Sequence, residues 1–481
     1  MTRPFPETMT FTGHDAPSRI EGDVHDLVVS EGELPAGLNG TWHRCGPDPQ
    51  YPPMTGDDIY INGDGMMSMF RFEDGHVDFK SRYVRTERFE AERRARRSLF
   101  GLYRNRFTNH PSVSELSGGT ANTTAVWHGG RLFALKEDSP PYEIDPDTLA
   151  TRGKFDWGGR LRTRTMSAHP KIDPETGELL FYGYEAAGDA TRDIAFGIVD
   201  RAGELVKEEW FEAPYAAMVH DFAITRDYAV FPIFPAIADL ERLKAGGLHW
   251  MTDLSQDAWV GILPRNGAGK DIRWFRRPGG QSFHTINAFQ DGDRVCLDFV
   301  LSEMNPFPYV PDVSGMPFDP QKAAPVPMRW TMDLSRNDDA IEERPIAPVP
   351  GDVPRIDERF MGRPYRYGYM GMVDPTRAML KSGPVGAGFN MVGRLDVHTG
   401  QADTWYGDDA TGFQEPLFVP RSPDAPEGDG WLLAVIERHD QNRSDIGVFD
   451  ALRIADGPVA VCQLPMRLRM AFHGCWRPAA A

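Results

Sequence analysis

Residues 119–143 read GTANTTAVWHGGRLFALKEDSPPYE, and this stretch decides the fold. Two extended runs rich in Thr, Val, Leu and Phe, residues 120–127 and 131–136, flank His128-Gly129-Gly130. That trio supplies a tight turn, so the stretch predicts a β-hairpin. Its second run, after the apolar Leu132-Phe133-Ala134-Leu135, ends in Lys136-Glu137-Asp138. Charges placed directly behind an apolar strand need partners or a task.

The same grammar recurs outward from the hairpin. Short strand-like runs are punctuated by Glu73-Asp74-Gly75, Glu175-Thr176-Gly177, Gln290-Asp291-Gly292 and Val397-His398-Thr399-Gly400. The chain therefore reads as all-β, with hairpin-built blades of a propeller. Its 48 Gly and 40 Pro are scattered, so no linker splits the 481 residues and a single domain over 1–481 is expected. Ile144-Asp145-Pro146-Asp147-Thr148 and Ile172-Asp173-Pro174-Glu175-Thr176-Gly177 read as equivalent outer-strand turns of neighbouring blades, although no strict repeat accompanies them. Helices enter as insertions. Residues 86–100, TERFEAERRARRSLF, lack Pro and Gly and set Phe89, Arg93 and Arg96 on roughly one face; residues 236–245, AIADLERLKA, stop at Gly246-Gly247. These insertions, about 86–107 and 236–251, are expected to build a cap. Glutamates interleave with the arginines of the first helix, which favours a solvated or packing face and at most peripheral membrane contact.

Composition removes several classes. Hydrophobic residues make up 41% and aromatic residues 11%, ample for a large core. The mean hydropathy of −0.44, without a long apolar run, excludes a transmembrane helix. A formal charge of −18 opposes a nucleic-acid partner. Cys45, Cys296, Cys462 and Cys475 lack CxxC spacing, which suits a reducing compartment better than disulfides or a thiolate zinc site. The N-terminus MTRPFPETMTFTG shows no apolar signal segment, so the expected location is cytoplasmic.

Of the 13 histidines, His76, His128 and His398 adjoin turns, whereas His169, His220, His284 and His473 lie in apolar or aromatic company within strand-like runs. Taken singly, each is best read as a satisfied core histidine. Their spacings of 51, 64 and 189 residues match no local metal motif, so a site built from them would assemble only across the fold. A propeller, whose innermost strands converge from distant parts of the chain, provides that convergence.

A set of motifs runs through the chain: Asn39-Gly40-Thr41-Trp42-His43-Arg44-Cys45-Gly46-Pro47, Asn62-Gly63-Asp64-Gly65-Met66 with Phe70, Thr120-Ala121-Asn122-Thr123, Leu135-Lys136-Glu137, His169-Pro170, His220-Asp221, Glu415-Pro416-Leu417-Phe418-Val419-Pro420 and Phe472-His473-Gly474. In these the chain resembles the carotenoid cleavage oxygenases, and within them the bacterial lignostilbene dioxygenases. The resemblance covers nearly the whole chain. It implies a seven-bladed β-propeller with a helical cap and one non-haem Fe(II) per subunit, held by His169, His220, His284 and His473. It further implies carboxylates that accept the other ring N–H of three of the histidines. Glu137 and Glu415 match two of these. The third position, usually glutamate, holds Asp352, whose shorter stem predicts a water-bridged contact.

By the same resemblance Thr123 lies close to an open iron position, Phe307 lines the substrate cleft, and Ile61 stands where stilbene cleavers often carry an aromatic residue. Lys136 and Tyr103 match a lysine and tyrosine of the lignostilbene dioxygenases. A buried ammonium is a poor neighbour for a hydrocarbon polyene but a good one for a phenol. The expected substrates are therefore a phenolic stilbene and O₂, giving two aromatic aldehydes after Lys136 and Tyr103 activate the phenol. A homodimer is compatible with this reading. The alternatives are an apocarotenoid or phenylpropanoid-alkene cleavage oxygenase with the same iron site, a hydrolase or lactonase binding a hard cation through Asp, Glu and Asn, and a non-enzymatic binding propeller.

Overall fold

Two glycines in left-handed backbone make the decisive hairpin. In the computed structural model, which describes residues 3–479, Gly129 (φ 55°) and Gly130 (φ 73°) turn the chain between Thr124–His128 and Arg131–Leu135. Positive φ at both central residues is what a two-residue type I′ turn demands, and glycine meets it without steric penalty. The ladder pairs His128 with Arg131 and Thr124 with Leu135. Both strands are shorter than the sequence implied: residues 120–123 precede the first, and Lys136 lies one residue beyond the second.

Tyr142–Ile144 and Thr151–Lys154 extend this hairpin into a four-stranded meander. The pattern recurs along the chain. Lys171–Ile172, Leu179–Tyr184, Asp193–Val199 and Leu205–Glu212 form the next, followed by Ala223–Ile224, Tyr228–Ile233, Asp257–Pro264 and Arg273–Pro278. Thr285–Asp291, Arg294–Leu301, Val326–Asp333 and Glu342–Pro345 form another, and Gly351–Ile356, Tyr367–Met372, Met391–Asp396 and Ala402–Trp405 one more. The last two join the chain ends. Gly40–Pro47 pairs with Gly65–Glu73 on one side and His473–Pro478 on the other, and Val28–Gly32 pairs with Pro458–Gln463 at the edge of the Gly430–Arg438 and Arg443–Asp450 ladder. Seven antiparallel meanders result.

Residues 3–155, 369–394 and 403–479 form one compact unit, and residues 156–368 and 395–402 another. Trp42, Phe70, Phe79, Leu433 and Val448 belong to a core cluster of the first. Val230, Val260, Phe275, Leu297 and Trp330 belong to one in the second. Among the described residues no helix is long and apolar enough to cross a membrane.

Three sequence expectations change. The first helix spans Glu87–Ala95, capped by Thr86, and ends at Arg96 in left-handed backbone instead of continuing to Phe100. The Glu92 carboxylate accepts the Leu99 and Phe100 amides at 2.8 and 3.1 Å, drawing the chain back along the helix. The second helix is only Leu240–Lys244, because Ala236–Ile237 pairs with Met251–Thr252 and Asp239 caps the helix behind it. The two Ile-Asp-Pro turns are not equivalent. Asp145 lies between the third and fourth strands of its meander, Asp173 between the first and second of the next. They share only local chemistry, each carboxylate accepting the amides two and three residues on.

Gly65 shows how tightly the segment before the hairpin is held. Its amide donates to Thr120 O at 3.0 Å, and an added Cβ would stand 2.4 Å from Ala121 O and 2.5 Å from Thr120 O. Backbone carbonyls cannot swing away as a side chain can. Gly65→Ala is expected to cost about 1–3 kcal/mol, read as a lower denaturation midpoint at unchanged slope.

Candidate active site

Each of the four candidate histidines sits at or just before the strand that opens an antiparallel ladder. His169 precedes Lys171–Ile172, His220 precedes Ala223–Ile224, His284 precedes Thr285–Asp291, and His473 begins His473–Pro478. In the second unit His169, His220 and His284 converge. A ring nitrogen of each lies within 4.8 Å of the others. The rings cross steeply, with centroids 4.6, 5.2 and 5.0 Å apart and interplanar angles of 67°, 68° and 75°. The Nε2 atoms of His169 and His220 are 3.0 Å apart. Two nitrogens each about 2.1 Å from one ion at a right angle are separated by about 3 Å, so this geometry fits a shared metal.

Asp221 locks these three segments together. Its Oδ1 meets Lys171 Nζ at 2.8 Å, and its Oδ2 accepts both the amide and hydroxyl of Thr285 at 2.8 Å. Lys171, Asp221 and Thr285 follow His169, His220 and His284 by two, one and one residues. Burial pushes the Asp221 carboxyl up, but the Lys171 ammonium and the hydrogen bonds outweigh it and hold the group below the ordinary carboxylate range.

Carboxylates orient two of the imidazoles. His473 Nδ1 lies 2.7 Å from Glu415 Oε1, while Glu415 Oε2 accepts the Gly474 amide at 3.1 Å. His284 Nδ1 lies 2.7 Å from Asp352 Oδ1, a direct contact in place of the water bridge expected from the shorter stem. Val353, next to Asp352, stands in left-handed backbone at φ 52°, and its amide donates to the same Oδ1 at 2.7 Å. With Nδ1 engaged, Nε2 is the nitrogen each ring presents to a metal. Imidazole donors suit iron among other first-row divalent ions.

The first unit gathers the remaining polar candidates. Lys136, 3% exposed, donates to Ile61 O at 2.9 Å and Asn122 Oδ1 at 3.0 Å, with Nζ 5.1 Å from the centre of the Tyr103 ring. Burial lowers its pKa, against opposing fields from Asp138 and Glu137. Glu137 meets the same tyrosine at its other end, accepting the Tyr103 hydroxyl at 3.4 Å and facing the Arg104 guanidinium at 3.9 Å. Thr123 donates its hydroxyl to Asn122 Oδ1 at 3.0 Å, and its carbonyl accepts the His473 amide at 3.0 Å. Ile61 thus contributes a backbone carbonyl. In the second unit Phe307 packs edge-on against Phe283, centroids 4.3 Å apart, and Phe283 in turn against His220 at 5.5 Å.

The family model described as retinal pigment epithelial membrane protein matches residues 15–478. The chain belongs to this family, that of the carotenoid cleavage oxygenases. It is 47% identical to an isoeugenol monooxygenase of Pseudomonas putida over 96% of both chains. It is 44% identical to lignostilbene-α,β-dioxygenase isozyme III of Sphingomonas paucimobilis, over 99% of this chain and 98% of the relative. The crystal structure of Pseudomonas brassicacearum lignostilbene dioxygenase superposes with a TM-score of 0.95 at 43% identity, covering 99% of this chain and all of that one. The seven meanders are accordingly the blades of a seven-bladed β-propeller. Like its carotenoid cleavage oxygenase relatives, the protein is an alkene-cleaving dioxygenase.

Sequence reading missed three residues that this geometry brings forward. Asp221 and Phe283 adjoin named histidines, and that adjacency was the available signal. Asn122 stood inside a quoted motif with no role attached. For Asp221, removing the charge strands Lys171: Asp221→Asn is expected to cost about 3–5 kcal/mol, measured by chemical denaturation, and to lower bound metal per chain.

Proposed function

We propose that the protein is an Fe(II) dioxygenase that cleaves the central C=C of 4-hydroxystilbenes, each carbon of the broken bond receiving one oxygen atom of O₂ to give two aromatic aldehydes. The observation that carries this reading is Lys136, whose buried side-chain nitrogen rests on two amide-type oxygens beside the Tyr103 ring. An apolar polyene offers such a group nothing, whereas a phenol offers a proton and then an anion.

His169, His220, His284 and His473 are proposed to hold one Fe(II), which when bound supplies the means of binding and activating O₂. Asp352 and Glu415 fix the tautomers of His284 and His473, and Glu137 is assigned the same task for a third ring. Thr123 is assigned to the rim of an open coordination position. Lys136 takes or holds the phenolic proton, Tyr103 hydrogen-bonds the phenolic oxygen, and the phenolate releases electron density along the conjugated chain to the reacting carbons. Phe307, backed by Phe283, is assigned to the wall that contacts an aromatic ring.

A second reading rests on the isoeugenol monooxygenase relative. Isoeugenol is also a phenol with a para-alkenyl chain, so Lys136 and Tyr103 would serve it unchanged and only the far end of the cleft would differ. The test is an aldehyde assay of Fe(II)-loaded protein with a 4-hydroxystilbene, its 4-methoxy analogue, isoeugenol and an apocarotenal. The free-phenol stilbene is expected to be cleaved and the methoxy analogue spared; equal rates for these two would sink the phenol argument. Lys136→Met is expected to lower kcat/KM by about 10²–10⁴-fold at unchanged iron content.

A further inference from the structure

Asn122 is completely buried, and its side-chain amide is saturated. Nδ2 donates to Ile61 O at 3.0 Å and Gly63 O at 2.7 Å, and Oδ1 accepts from Lys136 Nζ and Thr123 Oγ1, both at 3.0 Å. The orientation is unambiguous, because exchanging O and N would set an N–H₂ group against the lysine nitrogen. Ala121, immediately before it, stands in left-handed backbone at φ 48°. Gly65 donates to Thr120 O and leaves no room beneath the Thr120 and Ala121 carbonyls. The segment that carries the amide is therefore held from both sides.

The consequence lies in the geometry of the lysine nitrogen. Ile61 O and Asn122 Oδ1 accept only from N–H, so they occupy two corners of a tetrahedral nitrogen whether it is an ammonium or an amine. The remaining corner then holds either the third proton or the lone pair. We infer that Asn122 is the positioning residue that aims this single exchangeable site of Lys136 at the phenolic oxygen, and that through the same Oδ1 it ties the lysine to the Thr123 hydroxyl.

The inference rests on the phenol-activation reading. In the step concerned, the phenol O–H bond breaks and an N–H bond forms at Nζ, so a neutral pair becomes an ammonium and a phenolate. The charged and titratable groups facing Lys136 are Asp138 and Glu137, which favour the ammonium, and Arg104 and Arg88, which oppose it, together with Tyr103 and the buried Cys45 thiol, itself pushed up to about 12 by burial. Asn122 adds direction without net charge, so the nitrogen remains able to give up its proton.

The experiment compares wild type, Asn122→Asp, Asn122→Leu and Lys136→Met, each checked for folding and iron content. Two properties are measured across pH: kcat/KM for a 4-hydroxystilbene, and the phenolate absorption of 4-hydroxybenzaldehyde bound to the protein. The carboxylate introduced by Asn122→Asp keeps the acceptor and adds a charge against Nζ. The acidic limb of kcat/KM, which requires the amine, should move up by about 1–3 pH units. In Asn122→Leu one corner of the nitrogen is released, and the bound phenolate fraction should fall at every pH. A residue that only packed would lower both signals without moving their titration. An unmoved limb together with an unmoved phenolate titration in folded Asn122→Asp overturns the inference, and that variant alone decides if Asn122→Leu does not fold. Full activity in Lys136→Met would instead overturn the phenol-activation reading itself.

Discussion

A buried carboxylate must be satisfied from every side, and Asp221 meets that demand by reaching three chain segments at once. An unpaired charge at that depth would cost several kcal/mol. Lys171, the Phe222 amide and Thr285 therefore have one workable arrangement, and the histidines beside them inherit it. Beside them the His169, His220 and His284 rings cross steeply, at 67°, 68° and 75°. Side chains pre-positioned in this way need little rearrangement to act together.

Lys171 and Lys136 show how one type of side chain is held in two different ways. Lys171 faces a carboxylate at 2.8 Å, a pairing that secures charge and structure together. Lys136 instead donates to the oxygens of an amide side chain and a backbone carbonyl, at 3.0 and 2.9 Å. Neutral oxygens satisfy its N–H groups without anchoring the positive charge, and burial lowers its pKa. The same side chain thus meets a fixed charge in one place and neutral acceptors in the other.

What the sequence revealed was local. The Gly129-Gly130 turn announced a hairpin because its two positive φ values belong to adjacent residues, and apolar surroundings singled out His169, His220, His284 and His473. That these histidines occupy like places at the openings of ladders is a property of pairing across hundreds of residues, which residue spacing does not carry. The helix ends were misread for the same reason: Glu92 accepts amides beyond its own helix, and Ala236–Ile237 finds a partner at Met251–Thr252. Asn122 was hidden because its importance lies in four bonds, three of them to Ile61, Gly63 and Lys136, more than ten residues away. The iron-site assignment came from resemblance, and the geometry of His284 corrected one part of it, replacing a bridged contact to Asp352 by a direct one.

Val353, beside that direct contact, is held in an uncommon conformation. A β-branched residue at φ 52°, followed by Pro354, occupies backbone that both its own branching and the proline disfavour. Asp352 meets the His284 ring from the residue just before this bend, and the Val353 amide closes onto the same carboxylate oxygen. Backbone of this kind persists only where its surroundings over-determine it, so the bond to His284 and the bend at Val353 stand or fall as one local arrangement.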